Sequence, residues 1–336
     1  MTWKVLVTVP AFEAAGADAA RLLREAGCEI CAVENAGLPG GQSLSTALAD
    51  MDAVIAGTEP YPATLLQSPA LSRLKIISRW GVGYDSIDVA EATARGIVIA
   101  YTPGLLDEAT AEYALALLLA LARRVADGHL SMRGGIWLPQ WGTDVFGKTL
   151  GIIGYGRIGK TVARKAQAFG LRVLAHDPSP ERGDSGHPVE FVSLNDLLAQ
   201  SDFVTLHTAL TPATRGMLGE TQLRRMKPSA RLINTARGQL IDETALLRAL
   251  TEGWIAGAAL DVYAEEPLPP RHPLRSAPNI LLSPHQASSS IETGLRISEA
   301  AAQAVIDLMN GRRPRLVLNP EVFARLQPVR DDARSL

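Results

Sequence analysis

The sequence reads TLGIIGYGRIG from Thr149 to Gly159, and this stretch decides the fold. The apolar run at its start predicts a strand, and the three glycines that follow are spaced G-x-G-x-x-G at the start of a predicted helix. In such a unit the first glycine permits a tight turn, the second lets the backbone approach a pyrophosphate, and the third lets helix and strand pack closely. The N–H groups at the start of the helix also favour phosphate. The predicted cofactor contacts are Gly154, Gly156, Arg157, Ile158 and Gly159.

An acidic residue follows the next predicted strand, Arg172–His176. Asp177 stands 18 residues after Gly159, where a carboxylate can accept both hydrogen bonds of an adenine-ribose diol. It would also repel a 2′-phosphate, so the sequence predicts NAD rather than NADP as the cofactor. Two alternatives are that Arg182 reaches such a phosphate, and that the glycines form a turn of purely structural origin.

Composition and charge restrict the classes of protein to which the chain can belong. Its 336 residues are too many for one ordinary core, so two domains are expected. The net charge of −2 gives no basic field for nucleic acid or an anionic membrane, and no apolar run reaches the ~18–20 residues that span a bilayer. The N-terminus resembles a strand rather than a secretory signal, which predicts a cytoplasmic protein. Cys28 and Cys31 are interpreted as structural, and no Cys or His cluster has zinc-site spacing, so no metal is expected.

Short β-branched runs alternate with Ala- and Leu-rich amphipathic stretches, which predicts an α/β fold of doubly wound parallel sheets. The first series of predicted strands is Lys4–Val9, Glu29–Val33, Ala53–Ala56, Lys75–Ser78 and Ile97–Ala100. The second is Leu150–Ile153, Arg172–His176, Phe203–Leu206, Arg231–Asn234, Ile255–Leu260 and Ile280–Leu282. A helix from about Asp107 to Arg124 is apolar on most faces, so it must be buried against its own protein or a partner subunit. A final helix is predicted at about Ile291–Asn310, before a polar tail with one apolar patch, Leu316–Leu318.

Polar side chains follow three consecutive strands of the second series. Arg237, Asp261 and His285 each come just after a strand, and Glu266 lies five residues past Asp261. Since ligands of an open parallel sheet bind beyond the carboxyl ends of its strands, we expect these side chains at one rim. Arginine offers a planar fork for a carboxylate, and a histidine kept protonated by a neighbouring glutamate can donate a proton during reduction. Taken singly, these residues could be solvated charges or a helix cap. Together they predict hydride reduction of a 2-oxo acid.

Several runs resemble the D-isomer-specific 2-hydroxyacid dehydrogenases, in particular phosphoglycerate dehydrogenases in a short form without a regulatory domain. The runs are Ser78–Asp88, Gly147–Thr149 with the glycine motif, Leu206–Thr208, Asn234–Gly238, Ala259–Pro267 and Ser283–His285. They lie within roughly residues 50–310, and their motifs are specific.

The resemblance implies a role for each residue of the site. It makes Arg237 the ligand of the substrate carboxylate and carbonyl, and His285 the acid/base paired with Glu266. Asp261 would hold the carboxamide of the nicotinamide. The remaining implied contacts are Thr208, Thr235 and Ala236 to the cofactor, and the backbone N–H groups of Val82 and Gly83 to the substrate carboxylate.

The resemblance also implies the domain organisation. A Rossmann cofactor domain, residues 101–286, is inserted in a flavodoxin-like substrate-binding domain formed by residues 1–100 and 287–336. The helix Thr110–Arg124 would be the contact of a homodimer, which would explain its apolar faces.

The chain departs from the family's pattern at two places. Gln286-Ala287 follows His285 where Leu-Gly is usual, and Ala56-Gly57-Thr58-Glu59 stands where phosphoglycerate dehydrogenases often have an arginine. Only Arg79 matches their phosphate-binding arginines, and we expect it to face an anionic substrate tail. We therefore expect a small 2-hydroxy or 2-oxo acid as the partner, with 3-phosphoglycerate first. The alternatives are glyoxylate or hydroxypyruvate reduction, oxidation of another acidic hydroxy acid, and, from another class, a non-catalytic NADH-sensing scaffold.

Overall fold

The structure, a computed structural model, describes residues 2–10, 12, 15–32, 43–178 and 188–326. The chain divides into two compact units, Met1–Leu106 with Ser289–Leu336, and Asp107–Ser288. Each unit contains one parallel sheet with helices, so the predicted class of two doubly wound α/β sheets is confirmed. No helix within the described ranges is long and apolar enough to cross a membrane.

The strands, in chain order, are Lys4–Val7 (β1), Glu29–Ala32 (β2), Ala53–Ala56 (β3), Ile76–Arg79 (β4), Val98–Ala100 (β5), Thr149–Ile153 (β6), Arg172–His176 (β7), Glu190–Phe191 (β8), Phe203–Leu206 (β9), Arg231–Asn234 (β10), Gly257–Leu260 (β11) and Ile280–Leu282 (β12). The helices are Ala17–Glu25 (α1), Leu44–Ala47 (α2), Ala63–Leu66 (α3), Val89–Ala94 (α4), Asp107–Ala122 (α5), Val125–Arg133 (α6), Arg157–Ala168 (α7), Leu194–Gln200 (α8), Glu220–Leu223 (α9), Glu243–Thr251 (α10) and Ile291–Met309 (α11). The apolar runs predicted every strand except β8, which is too short to carry a periodic signal.

The sheet of the first unit has the order β2-β1-β3-β4-β5, with all neighbouring strands parallel. This is the flavodoxin-like order. The strands β3 and β4 are buried along their whole length, which explains their continuous apolar character.

The segment after α11 closes one edge of this sheet, although its sequence predicts a polar tail. The Leu318 N–H donates to the Ile99 carbonyl over 2.8 Å. The buried Asn319 side chain accepts from the Ile99 N–H (2.8 Å) and donates to the Ile97 carbonyl (3.0 Å). The edge of β5 is therefore paired rather than left open to other chains.

The sheet of the second unit has the order β12-β11-β10-β9-β6-β7-β8 and is also parallel throughout. Because the strands run the same way, the residues that follow β6, β7, β9, β10, β11 and β12 all lie at one edge. This edge carries the cofactor and catalytic candidates.

The apolar helix α5 is buried largely within its own unit, where it packs on α7, β10 and β11. Burial within its own unit, one of the two alternatives that the sequence left open, therefore accounts for these apolar faces, and the dimer contact implied for Thr110–Arg124 stays a prediction. Exposed apolar side chains lie instead on the segment that follows, and Trp137 and Trp141 are 84 % and 89 % exposed. Their neighbours on this segment are Val125, Leu130, Met132, Ile136, Leu138 and Phe146.

Candidate active site

The glycine turn between β6 and α7 has the geometry that its spacing predicts. Gly154 has a φ of 93°, and a Cβ there would lie 2.5 Å from the Thr208 backbone nitrogen. A Cβ on Gly159 would overlap the Gly154 carbonyl oxygen, so helix and strand pack as closely as a glycine allows. A Cβ on Gly156 would meet open space. The first and third glycines are thus required by packing, and the second leaves room for a ligand at the start of α7.

The Asp177 side chain is fixed against this turn. Its Oδ2 accepts a hydrogen bond from the Tyr155 N–H over 2.8 Å, which places the carboxylate beside the glycines. Arg157, the first residue of α7, is exposed, and its Nε donates to Asp107 over 2.8 Å, while Ile158 is half-buried. Arg182, the alternative phosphate ligand, lies outside the described residues.

The residues present fit a bound dinucleotide. The helix α7 presents its first N–H groups beside the open space at Gly156. Thr235, directly after β10, is only 8 % exposed, and its Oγ1 has no hydrogen-bond partner among the residues that the structure describes. A buried hydroxyl without a partner is costly, and a ligand at the strand ends would supply the missing bond.

His207, between β9 and Thr208, is a polar group next to this turn that the sequence did not single out for chemistry. Its Nε2 lies 2.9 Å from Thr205 Oγ1. Burial lowers the pKa of His207 to about 3, so the ring is neutral at physiological pH. It adds no charge beside the predicted cofactor position.

The loop that carries Arg237 is shaped by the buried side chain of Asn234. The Asn234 Nδ2 donates to the Arg237 carbonyl (2.8 Å), and its Oδ1 accepts from the Ala236 N–H (3.0 Å). The Arg237 Nη1 donates to the Ala236 carbonyl over 2.7 Å. Sequence reasoning missed Asn234, although an Asn at the end of a strand is a recognised signal for a side-chain-stabilised turn.

His285 and Glu266 form a direct pair. The His285 Nδ1 lies 2.6 Å from Glu266 Oε2, and Glu266 Oε1 accepts from the Tyr263 N–H over 2.9 Å. Burial alone would raise the pKa of Glu266. The hydrogen bond and charge of His285, the Tyr263 N–H and the charge of Arg237 act in the opposite direction, and together they bring the pKa below its ordinary value. Glu266 is therefore anionic, and Arg237 is close enough to affect it.

The loop that carries His285 is held by Asp261. His285 has a φ of 50°, a left-handed conformation that non-glycine residues seldom adopt. Its N–H donates to the Asp261 carbonyl (2.8 Å). The fully buried Asp261 carboxylate accepts from Ser283 Oγ (2.6 Å), the Gln286 N–H (3.0 Å) and the Ala287 N–H (2.8 Å). The carboxamide contact implied for Asp261 stays a prediction, and these bonds show that it orients the His285 loop.

Gln286, one of the two departures from the family's pattern, makes a contact of its own. Its Nε2 donates to the Tyr113 hydroxyl on α5 over 2.6 Å. The departure therefore joins the His285 loop to a helix. No group of three His, Cys, Asp or Glu side chains that could hold a metal occurs within the described ranges.

The three predicted substrate ligands lie together in the first unit, at the end of β4. Arg79 is only 6 % exposed, and its side chain donates to the backbone carbonyls of Gly83, Trp80 and Ala56. Val82 and Gly83 are half-buried in the turn that follows. The anionic-tail role of Arg79 stays a prediction, and its contacts with three backbone carbonyls favour a role in holding the turn.

The comparisons with known proteins agree with this geometry. Residues 115–287 match the family described as "D-isomer specific 2-hydroxyacid dehydrogenase, NAD binding domain". A glyoxylate reductase of Korarchaeum cryptofilum is 48 % identical over an alignment of 282 positions, and this alignment covers 81 % of this chain and 84 % of that protein. The chain belongs to the D-isomer-specific 2-hydroxyacid dehydrogenases. It is accordingly an oxidoreductase with an NAD-binding domain, and the predicted family, enzyme class and cofactor class are confirmed.

Solved structures resemble this dehydrogenase over nearly its whole length. The TT0316 protein of Thermus thermophilus is 40 % identical, with a TM-score of 0.84, and the match covers 94 % of this chain and 99 % of that one. An NADPH-dependent glyoxylate/hydroxypyruvate reductase of Sinorhizobium meliloti, solved with NADP and malonate, is 29 % identical, with a TM-score of 0.82 and complete coverage of both chains.

Proposed function

We propose that this dehydrogenase reduces glyoxylate and hydroxypyruvate with NADH. The observation that carries the proposal is the burial of Arg79, the one arginine that matches those of phosphoglycerate dehydrogenases, against three backbone carbonyls. A phosphorylated tail would need a cation that reaches it. The relatives named above support glyoxylate reduction rather than our expectation of 3-phosphoglycerate.

In this proposal each residue of the site has one task. NADH, when bound, supplies the hydride. Arg237 binds the carboxylate and polarises the carbonyl of the 2-oxo acid with its planar fork. His285 engages Glu266 through Nδ1 and so can present Nε2 to the carbonyl oxygen, to which it donates a proton. The anionic Glu266 stabilises the protonated ring and fixes its orientation. The backbone N–H groups of Val82 and Gly83 bind the substrate carboxylate.

Initial rates of NADH oxidation with a panel of 2-oxo acids test this function. We expect kcat/KM for glyoxylate and hydroxypyruvate to exceed that for 3-phosphohydroxypyruvate by about tenfold or more, the scale of an unpaired charged group. Pyruvate serves as the control for a neutral alkyl tail. A preference for the phosphorylated acid would restore the phosphoglycerate dehydrogenase hypothesis, and an absence of turnover with every acid would favour the scaffold.

The choice of cofactor depends on Asp177 in this proposal. Asp177→Ser should lower kcat/KM for NADH by about tenfold or more and narrow the gap to NADPH, because it removes ribose hydrogen bonds and a repulsive charge. Steady-state kinetics with both cofactors measure the change. Asp196→Ser, which removes an exposed acid at the start of α8, is the control. A wild-type protein that prefers NADPH, as the Sinorhizobium meliloti relative does by name, would contradict the prediction.

The proposed assembly is a homodimer in which a second copy covers the exposed apolar side chains of residues 125–146. An exposed apolar surface of this extent is typical of an interface between proteins. Light scattering at micromolar concentration should give twice the 35.8 kDa of one chain. The double variant Trp137→Glu/Trp141→Glu should give the mass of one chain, because burying an unpaired charge in the interface is strongly unfavourable. A monomeric wild type would contradict the assembly. A cytoplasmic location stays a prediction of the sequence.

A further inference from the structure

Backbone hydrogen bonds at Gly81 fix the start of the turn that follows β4, residues 80–84. Gly81 has a φ of 145°, its N–H donates to the Arg79 carbonyl (2.9 Å), and its own carbonyl accepts from the Thr102 N–H (3.0 Å). The glycine is required here because the left-handed conformation is strained for other residues.

The Arg79 side chain binds the carbonyls on both sides of this turn. Its Nε donates to the Gly83 carbonyl (2.8 Å), and its Nη1 donates to the carbonyls of Trp80 (2.9 Å) and Ala56 (3.2 Å). One guanidinium thus fixes the peptide group before Gly81 and the one after Gly83, and ties both to the end of β3. Charged donors make stronger hydrogen bonds than neutral ones, and a rigid fork loses little entropy in making several of them.

The N–H groups between these two fixed peptides are left open. The N–H groups of Val82 and Gly83 have no hydrogen-bond partner among the described residues, although both residues are half-buried. Two adjacent, oriented N–H groups form a small concave donor pair suited to a carboxylate. Two donors are therefore available in a turn whose flanking carbonyls are bound by the Arg79 side chain.

A second charged group, Glu59, lies at the same end of the sheet, shortly after β3. It accepts from the Tyr61 hydroxyl (2.8 Å), the Gly57 N–H (3.1 Å) and the Thr8 hydroxyl. Burial raises the pKa of the fully buried Tyr61 well above its ordinary value, Glu59 raises it further, and Arg79 opposes the rise. Both charges are therefore near the same phenol. A carboxylate at this position would repel an anionic substrate tail.

We propose that Arg79 is a positioning residue, which holds the Val82 and Gly83 N–H groups in the orientation that receives the carboxylate shared by all 2-oxo acids. It does not contact the far end of the substrate. The proposal rests on the assignment of these N–H groups to the carboxylate in the proposed function. It differs from the sequence-based expectation in one measurable respect, since a positioning residue affects every substrate equally, whereas a ligand of the tail affects only substrates with an anionic tail.

The experiment compares Arg79→Gln and Arg79→Lys with the wild type for glyoxylate, hydroxypyruvate and 3-phosphohydroxypyruvate. In Arg79→Gln we expect KM to rise about tenfold or more, by the same factor for each acid that the wild type accepts. The KM for NADH and the kcat should change less than about threefold, because the hydride and proton groups are untouched. The KM values of Arg79→Lys should lie between those of the wild type and those of Arg79→Gln, because a lysine keeps the charge but one ammonium cannot reproduce the fork.

The matched control is Arg73→Gln, in the same unit. Arg73 also makes several hydrogen bonds, to Asp52 at the opposite end of β3, the shortest over 2.8 Å. The Arg73→Gln variant should leave every KM unchanged. Thermal unfolding checks that the variants fold, and Arg79→Lys carries the test if Arg79→Gln does not fold. A loss confined to the phosphorylated acid, or an unchanged KM for every acid, would overturn the proposal. If the wild type prefers a different 2-oxo acid, the proposed substrate is wrong, and the same comparison on that acid still tests Arg79.

Discussion

Replacing His285 with Ala should lower kcat by about 10²–10⁴ while the KM for NADH stays near its wild-type value. The reason is the loss of a positioned proton donor, since the 2.6 Å pair with Glu266 holds the ring through Nδ1 and leaves Nε2 for the substrate. Because His285 has a φ of 50°, His285→Asn is the better second variant, as Asn tolerates the left-handed conformation. Stopped-flow or steady-state NADH oxidation, with cofactor binding followed by fluorescence, separates the two effects.

The same unit contains a natural control for this prediction. His272 also lies near a glutamate, with its Nε2 3.4 Å from Glu243, and His272→Ala should leave kcat unchanged. Near-normal turnover in both His285 variants would remove His285 from the mechanism. Equal losses in the His272 variant would show that the effect comes from folding rather than from chemistry.

Glu266→Gln tests the charge beside His285. The carboxylate is anionic in the wild type because, although burial raises its pKa, the hydrogen bond and charge of His285 and the Tyr263 N–H help to hold that pKa below the ordinary value. A glutamine keeps a hydrogen-bond acceptor for the Nδ1 of His285 but removes the charge, so kcat for reduction should fall by about tenfold while the KM for NADH changes little. Steady-state NADH oxidation at saturating glyoxylate measures the change, and an unchanged kcat would show that the charge of Glu266 takes no part in the proton transfer.

Arg237→Lys should lower kcat/KM for glyoxylate by about 10²-fold or more, with a higher KM for the acid and little change for NADH. A lysine keeps the charge but cannot donate two parallel hydrogen bonds, so both carboxylate binding and carbonyl polarisation suffer. If kcat falls together with kcat/KM, part of the interaction between Arg237 and the substrate is made only in the transition state. Steady-state kinetics at saturating NADH give both parameters.

Arg231, at the other end of the same strand β10, supplies the control for this second prediction. Arg231→Lys changes the same residue type on the same element, far from the carboxyl ends of the strands, and should leave the kinetics unchanged. An Arg237→Lys variant that keeps the wild-type KM for glyoxylate would show that Arg237 does not hold the carboxylate.

The sequence alone was sufficient for the elements whose causes are local. Glycine spacing predicted the turn between β6 and α7, because only glycine permits the φ of Gly154 and the close approach of Gly159 to the strand. Apolar runs predicted eleven of the strands, and parallel connectivity then placed the residues after β10, β11 and β12 at one edge. Residue type, spacing and connectivity can all be obtained from sequence without knowledge of packing.

Contacts between residues distant in the chain were decided only by the tertiary structure. The carboxylate of Asp261 meets the N–H groups of Gln286 and Ala287, 25 and 26 residues away, and so supports His285. Arg79 meets the Ala56 carbonyl on a neighbouring strand, which makes a residue that resembles a phosphate ligand into one that holds a turn. The apolar helix α5 is buried by its own unit. In each case the chemistry of the side chain is local, but its hydrogen-bond partner or its burial depends on which distant segments fold against it.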